Sequence, residues 1–565
     1  MAIDGGLDPV WRIWYDLYMS SLTKKTFSGR TYYYLRDTAR VQGKPKVVRT
    51  TYLGRAEDIE AALRGALRPT QVRSLAFGDV AAALAVLRKL GLREVIDRVA
   101  PKREQGLSVG SYLELVVINR ATSPTSKRAL AGFYEETCLS RLLGHPATSL
   151  APQRLFDAMG ALGEEQLVMV EEELVRRARE AYGLGGDTLL FDTTNFATYL
   201  DSETPAALAR RGHSKTKRHD LRLVGLALLL SRVEEVPLLS AVYPGNLPDQ
   251  KTFPGVVARL YARYLTLTEE AGGAPPTLIF DKGMNSQKNL CLLAQTGFHF
   301  VGSLSPLRHR RYLALAAREP QTFALLPGLR AWRTEAPLFG RRLTLVLCHS
   351  DEFQHKQERG LEQTLSRAEA RLDLLGRPRT RPETIARRLP EILAPRHLRD
   401  VLVVFSDLAT KTLAYERNEE AIQTLSDTLF GKTLLMTDQH HWATEEIIRA
   451  YRAQAEIERA FRQLKAPDLV ALMPMWHWTD QKIRVHAFTC VLALLVVRLI
   501  ALEARRADFT EEAPGIMARL RGIRETVLLY APAGRGRPRV VRTLTEQDAD
   551  QAKLMTILGL AELAP

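Results

Sequence analysis

Hydrophobic and polar positions change rhythm several times along this 565-residue chain. Within residues 26–54, the runs TYYYLRDTARV and KPKVVRTTYLG are rich in β-branched and aromatic residues. They flank Gln42-Gly43, a pattern that predicts two strands of a small β-rich unit. From 56 to 183, Leu and Ala recur at helical spacing, as in AAALAVLRKLGLREVIDRV and EEELVRRAREAYGL, and predict a mostly helical region. Glycines at 183, 185 and 186 end it. The next stretch alternates differently. DTLLFDTTNFATYL, LRLVGLALLLS and EVPLLSAVYPGN predict three consecutive strands, followed by a helix over Lys251–Glu270. PTLIFDKG predicts a fourth strand, Ser286–Gln295 a helix and FHFVGSL a fifth strand. Three strands before the first helix predict an antiparallel meander that becomes a mixed sheet, an α/β (mixed α+β) class.

Residues 306–440 interrupt this core with strand-like pieces (RRLTLVLCHS, VLVVFSDLAT, TLLMTDQ) and a charged helical stretch from Glu352 to about Arg399. Helices return over Thr444–Lys465 and Gln481–Arg505, and the Gly/Arg/Pro segment AGRGRPRVV predicts a hairpin or loop. The expected organisation has six parts. Residues 1–55 form a basic β-rich DNA-binding unit and 56–183 a helical DNA-binding or linking region. Residues 184–305 and 441–505 are two parts of one core, 306–440 an inserted β-rich domain, and 506–565 a tail for dimerisation or DNA contact.

Within YRAQAEIERAFRQLK, Tyr451, Glu458 and Lys465 stand seven residues apart. On one continuous helix that spacing drifts only about 20° per step, so an acid, a phenol and an ammonium share a face, with Arg462 beside them. Ile457, Phe461 and Leu464 fall on a neighbouring core stripe. A purely structural amphipathic helix has the same pattern.

Composition narrows the partner. A net charge of +15 points to a polyanion, most simply nucleic acid. From Lys24 to Arg49 there are eight Lys or Arg, including Lys44, Lys46 and Arg49, against one acid, Asp37, with Tyr32, Tyr33 and Tyr34 interleaved. Such strands suit phosphate and groove contacts, and a solvated hairpin of a basic protein reads the same way. The apolar runs Leu223–Leu230 and Ala487–Val497 are too short to span a bilayer. The start, MAIDGGLDPVW, carries no secretory pattern. Four scattered cysteines without a CxxC pair fit a reducing cytoplasm and argue against a zinc site.

Asp192 ends the apolar run TLLF and Asp281 ends TLIF. An acid at the end of a buried strand is costly unless something pairs with it, although Asp also begins turns and caps helices. With Glu458 the two acids can coordinate a pair of divalent ions, which activate an attacking oxygen and stabilise a leaving one in phosphoryl transfer. Oxygen ligands suit Mg²⁺ or Mn²⁺, two ions per active site. His213, Lys215, Lys217 and Arg218 form a basic loop suited to phosphate contact, and His477 and His486 read as structural.

These residues and their order resemble the DDE transposases of bacterial insertion sequences, in the cut-and-paste branch with a Tyr–Arg–Glu–Lys signature. That signature falls on Tyr451, Gln454, Glu458 and Lys465. RGHSKTKRHDLRLVGLALLLS, YPGNLPDQKTF, FDKGMNS and MWHWTDQKIRVHAF resemble further family segments. The resemblance implies a ribonuclease-H-like core with a β-rich insertion, and a metal-binding catalytic triad of Asp192, Asp281 and Glu458. It implies excision and integration of an insertion sequence by Mg²⁺-dependent cleavage and strand transfer. Tyr451 and Lys465 inherit contacts to DNA phosphates, Trp332 or Trp442 a base-stacking role, and the DNA-bound protein a homodimeric state at terminal inverted repeats. A cytoplasmic, nucleoid-associated bacterial setting goes with it. Gln454 departs from the signature arginine and cannot form a charged bidentate phosphate contact. Arg452 and Arg459 are expected off the face that Glu458 shares. Two other readings stay open: a ribonuclease-H-like nuclease that cuts without joining, and a non-catalytic DNA-binding descendant.

Overall fold

The computed structural model describes residues 19–41, 44–101, 106–201, 203–212, 220–268, 275–315, 321–322, 326–377, 380–407, 412–531 and 538–565. They fall into two compact units: residues 1–81 with 135–144 and 518–565, and residues 82–134 with 145–517.

In the first unit, β1 (Met19–Phe27), β2 (Arg30–Val41) and β3 (Lys44–Gly54) form an antiparallel sheet. The sequence reading predicts β2 and β3 only. β1, MSSLTKKTF, carries its alternation on Ser, Thr and Lys instead of apolar residues, so no hydrophobic period announces it. Gln42-Gly43 lies outside the described residues. β4 (Gln71–Ala76) is a strand inside the region expected to be mostly helical. It forms because a distant hairpin supplies its hydrogen bonds, which no local pattern reveals.

The second unit holds the predicted succession. β5 (Thr188–Thr198), β6 (Arg222–Ser231) and β7 (Pro237–Pro244) make an antiparallel meander. The helix Asp249–Thr268 leads to β8 (Thr277–Phe280), and the helix Gln287–Thr296 leads to β9 (His299–Leu304). β8 and β9 pair in parallel, and β8 pairs in parallel with β5. The resulting order β9-β8-β5-β6-β7 is the ribonuclease-H-like arrangement.

The stretch 306–440 does two things at once. β10 (Gln321–Thr322), β11 (Leu329–Leu338) and β12 (Arg341–Ser350) precede the helices Asp351–Leu375 and Pro382–Ile392. The β13 (Leu402–Asp407) and β14 (Thr412–Arg417) hairpin, the helix Glu419–Leu429 and β15 (Lys432–Thr437) follow. β15 pairs with β9, β12 with β15, β11 with β12 and β10 with β11, so these four strands lengthen the core sheet to nine strands. The helices instead gather on their own apolar cluster, which includes Leu365, Leu372, Ile385 and Val401.

Helices Thr444–Arg452 and Gln454–Lys465 follow, then Asp480–Arg506. That last helix has 27 residues and is long and apolar enough to cross a membrane, longer than the Ala487–Val497 run suggests. It is a core helix: 94% of its apolar window is buried inside the protein. Its buried Arg498 donates to Glu235 at 2.7 Å and to Gln463 at 2.9 Å, which ties the Glu458 helix to the turn between β6 and β7. Such a cation is stable inside only with those partners in place. In the first unit, β16 (Arg524–Tyr530) and β17 (Arg539–Leu544) form the expected C-terminal hairpin, and β16 also pairs with β4. Buried Glu525 is held there between Arg141 and Arg542.

Two glycines of the resembling segments have a steric reason. A Cβ on Gly245 would stand 2.0 Å from the Leu223 carbonyl oxygen, and one on Gly212 would stand 2.3 Å from that of Gly245. Both contacts are backbone and cannot yield. Gly245→Ala is therefore expected to lower stability by roughly 1–3 kcal/mol, the usual cost of overpacking, as read by denaturant unfolding. A wild-type midpoint would show that the β6–β7 edge relaxes freely.

Beneath the 472–479 loop, Lys127 Nζ donates to His486 Nδ1 at 2.7 Å, and His486 Nε2–H donates to the Leu472 carbonyl at 3.0 Å. Burial pushes the Lys127 ammonium down to about 7 from its ordinary 10.5, with Arg120 adding repulsion. Between those values the unfolded chain binds the extra proton, so this group's contribution to stability rises with pH. The thermal midpoint of the wild type should rise relative to Lys127→Met between pH 7 and 10.5. A constant difference across that window would refute the buried titration.

Candidate active site

The site begins with register. Thr188, Leu189 and Leu190 of β5 face Thr277, Leu278 and Ile279 of β8 in parallel. Two residues further along each strand stand Asp192 and Asp281, at matching positions and on the same face by the two-residue side-chain period. Asp281 keeps an extended backbone (φ −80°, ψ 164°), so the strand direction continues through it. Neighbouring strands lie about 4.8 Å apart, which sets the two carboxylates side by side where the parallel pairing ends. Ligand sites of open α/β sheets lie at such carboxyl ends.

Each aspartate is oriented by local donors. Asp192 is half-buried and its Oδ1 accepts the Thr193 N–H at 2.7 Å. Asp281 Oδ1 accepts from Ser303 Oγ at 3.1 Å, and Tyr451 OH lies 3.4 Å from the same oxygen and 2.8 Å from Ser303 Oγ. With one phenolic proton, the better geometry is a relay in which Tyr451 donates to Ser303 and Ser303 donates to Asp281. Burial pushes the Tyr451 phenol up to about 12, with the charges of Asp281 and Glu458 adding to the effect and the Ser303 bond opposing it. The phenol is thus a neutral donor across the physiological range. Ser303 comes from β9, whose parallel pairing with β8 aligns Phe280 with Gly302.

Asp192, Asp281 and Glu458 line one cavity of about 370 Å³, together with Tyr451, Arg452 and Gln454. Glu458 is exposed on the Gln454–Lys465 helix. Among the described residues, no three His, Cys, Asp or Glu side chains are gathered as a ready metal cluster. The expected triad is therefore a pair of adjacent aspartates with a glutamate on the same cavity wall, not a closed three-carboxylate cage. The donor chemistry fits a hard divalent ion. The cavity's one thiol, Cys348, is pushed up to about 12 by burial and stays protonated.

The signature stretch is not one helix. The first helix ends at Arg452, Ala453 is a turn, and the second begins at Gln454. Tyr451 and Glu458 line the same cavity across that turn, whereas Lys465, on the second helix, does not. Three expectations change. Gln454 is 9% exposed and its Nε2 donates to the Phe191 carbonyl at 3.1 Å, so it braces the strand carrying Asp192 from the cavity wall. Its amide oxygen is buried without a hydrogen-bond partner among the described residues. Lys465 donates to Thr194 Oγ1 at 2.8 Å and sits over the Phe196 ring, beside β5 and outside the cavity lining. Arg452, expected off the face, lines the cavity, next to the turn at Ala453 that joins the two helices. Arg459 pairs with Glu456 at 2.7 Å, and Arg462 is exposed outside the cavity lining.

Trp332 on β11 and Trp442 after β15 are both partly buried and line neither this cavity nor the one beside it. The exposed aromatic at the cavity is Phe353, on the helix Asp351–Leu375. Ser303 and Phe353 are the site residues that sequence reasoning overlooks, Arg452 being one it set aside as off the face, and only the strand-end placement of Ser303 beside the β8 acid could have flagged either. His213, Lys215 and Arg218 lie outside the described residues. Lys44, Lys46 and Arg49 are exposed on β3, opposite Val41, Ala39 and Asp37. Tyr32 and Tyr34 pack against Tyr52 within the same sheet, at 6.1 and 5.3 Å between ring centres.

The family model described as Transposase DDE domain matches residues 184–496, more than half of the chain. No curated protein matches the chain. Among solved structures, the cryo-EM structure of a piggyBac transposase synaptic complex with hairpin DNA aligns over 80% of this chain and 82% of that one, at 9% sequence identity and a TM-score of 0.34. The matched segment runs from just before β5 to within the Asp480–Arg506 helix, and so takes in both aspartates, the insertion and the Glu458 helix. By that match, the chain belongs to the DDE transposase family.

Proposed function

We propose that this transposase cuts DNA at the ends of an insertion sequence and joins the freed 3′ ends to target DNA, with Asp192, Asp281 and Glu458 as its catalytic carboxylates. The observation that carries the reading is the β5–β8 register, which sets Asp192 beside Asp281 in a cavity also lined by Glu458. Asp192 and Asp281 would hold divalent metal, Mg²⁺ or Mn²⁺, with Glu458 serving a second ion. Bound there, the metal supplies Lewis-acid stabilisation of the oxygens exchanged at phosphorus.

The chain's own residues set up the rest. The Tyr451–Ser303 relay fixes Asp281 through one oxygen, Oδ1. Gln454 fixes β5 at Phe191, the residue before Asp192. In hydrolysis, water attacks phosphorus in line, the bond to the 3′ oxygen breaks, and a 3′-hydroxyl is released. In joining, that hydroxyl attacks a target phosphodiester and displaces another 3′ oxygen. The number of phosphodiester bonds is conserved in the second step, so no external energy source is required. A phenol held near 12 is a poor nucleophile at neutral pH, so Tyr451 acts as a donor and not as a covalent carrier of DNA.

Two tests follow. With a labelled duplex from the element's own terminus, cleavage should need Mg²⁺ or Mn²⁺, stop with EDTA, and fall to background in Asp192→Asn. A precleaved end should yield joined product. Cleavage without joining would leave a nuclease, and cleavage surviving Asp192→Asn would reject the assigned carboxylates. Tyr451→Phe removes the donor while keeping the ring, and should lower the cleavage rate roughly 10- to 100-fold, the usual effect of losing a support to a metal-holding carboxylate. Rescue by raised Mn²⁺ is expected, whereas an unchanged rate at limiting metal would sink the relay.

A further inference from the structure

We infer that Arg452 is the arginine that grips a DNA phosphate in this chain, in place of position 454, and that the held strand continues into the cationic cavity next to the acids. The inference rests on the proposed function and deepens it.

Three observations converge. First, the position where the family signature carries arginine is occupied by a buried glutamine whose amide is committed to the Phe191 carbonyl. A longer, charged side chain there would have to be desolvated against the backbone of β5. Second, Arg452 is exposed and is the one cation lining the acid cavity among the described residues. Its positive charge is felt by the Cys348 thiol of β12, which lines the same cavity. The neighbouring arginines do other things: Arg459 is paired with Glu456, and Arg462 lies outside the lining. A phosphodiester entering beside three carboxylates meets net repulsion, and a guanidinium offers a planar fork matched to two phosphate oxygens.

Third, the cavity does not end at the acids. A second cavity of about 490 Å³ shares Asp281, Phe353, Thr433 and Tyr451 with the first, so the two adjoin along those residues. It adds Lys282 and Arg396, both exposed, and Lys432, against the single shared acid Asp281. Lys432 is engaged with the Asp427 carbonyl, which leaves Lys282 and Arg396 as the phosphate contacts of that stretch. An anionic strand that crosses the aspartates thus meets Arg452 in one cavity and Lys282 with Arg396 in the other.

The test uses the full chain, the labelled terminal duplex and a salt titration of binding in Ca²⁺. One lost phosphate contact reduces the slope of log K against log salt by about one. Arg452→Ala should show that reduction, bind roughly tenfold more weakly, and need more DNA for half-maximal cleavage in Mg²⁺. Arg452→Lys should keep the slope, since the charge remains, and recover only part of the cleavage. Arg396→Ala should reduce the slope likewise, and an unchanged slope there would overturn the strand course. The double variant Arg452→Ala/Gln454→Arg should stay impaired, because position 454 is turned into β5; recovery of slope and cleavage would overturn the Arg452 assignment. Asp192→Asn separates the two levels. If it abolishes cleavage while Arg452→Ala keeps wild-type slope and rate, only the arginine assignment fails. If cleavage survives Asp192→Asn, the proposed function fails with it.

Discussion

The parallel pairing of β5 with β8 is the constraint on which the site depends. Both strands are buried, and each ends its shared ladder with an acid two residues beyond the last paired position. A slip of one residue would move either aspartate to the opposite face of the sheet. The apolar residues before them, Leu189, Leu190 and Phe191 on β5 and Leu278, Ile279 and Phe280 on β8, are all nearly fully buried, so such a slip would expose or displace a core side chain. Hydrophobic register and the placement of the two aspartates are thus one specification. Two neighbouring carboxylates repel, and the Thr193 N–H, Ser303 and Tyr451 offset part of that cost while leaving the cavity side open.

The Glu458 helix is located by a second set of contacts. Gln454 reaches the β5 backbone, Lys465 reaches Thr194 on the same strand, and Gln463 accepts from buried Arg498 of the core helix. Three attachments along twelve residues fix both the rotation and the axial position of the helix. Glu458 therefore meets the cavity with its helix already placed, and only its own side chain is left to move. Across the turn at Ala453, side chains from two consecutive helices, Tyr451 and Arg452 from the first and Glu458 from the second, face one cavity.

Much of the core was legible because its strands are long apolar runs buried on both faces, bounded by glycine or by charge. Asp192 and Asp281 stood out as acids closing such runs. β1 and β4 were not legible, since β1 is mostly Ser, Thr and Lys, β4 is six residues whose Val72 and Leu75 do not alternate, and their partners are set by tertiary pairing. The joining of β11, β12 and β15 to the core sheet is also non-local: nothing in RRLTLVLCHS or TLLMTDQ distinguishes an edge added to an existing sheet from a separate one. The turn at Ala453 was hidden for a sharper reason. Alanine has the highest helix propensity, and no glycine or proline marks the break, so tertiary packing overrides a local preference that points the other way.

The side-chain contacts on either side of that break reverse the reading of the arginines. On a single helix, Gln454 shares a side with Glu458 and Arg452 lies away from it, so a chain with glutamine at 454 would lack the cation its chemistry needs. In the structure the same residues divide differently. Gln454 becomes a brace on β5 and Arg452 joins the cavity, so the departure from the family signature need not be a loss of function. A neutral amide suits a buried contact with a carbonyl, where a guanidinium would have to give up its hydration, and the exposed neighbour two residues earlier can keep its charge in water until a phosphate replaces that water. Chemistry assigned to one position by a family signature can thus reside at a neighbouring side chain that reaches the same cavity.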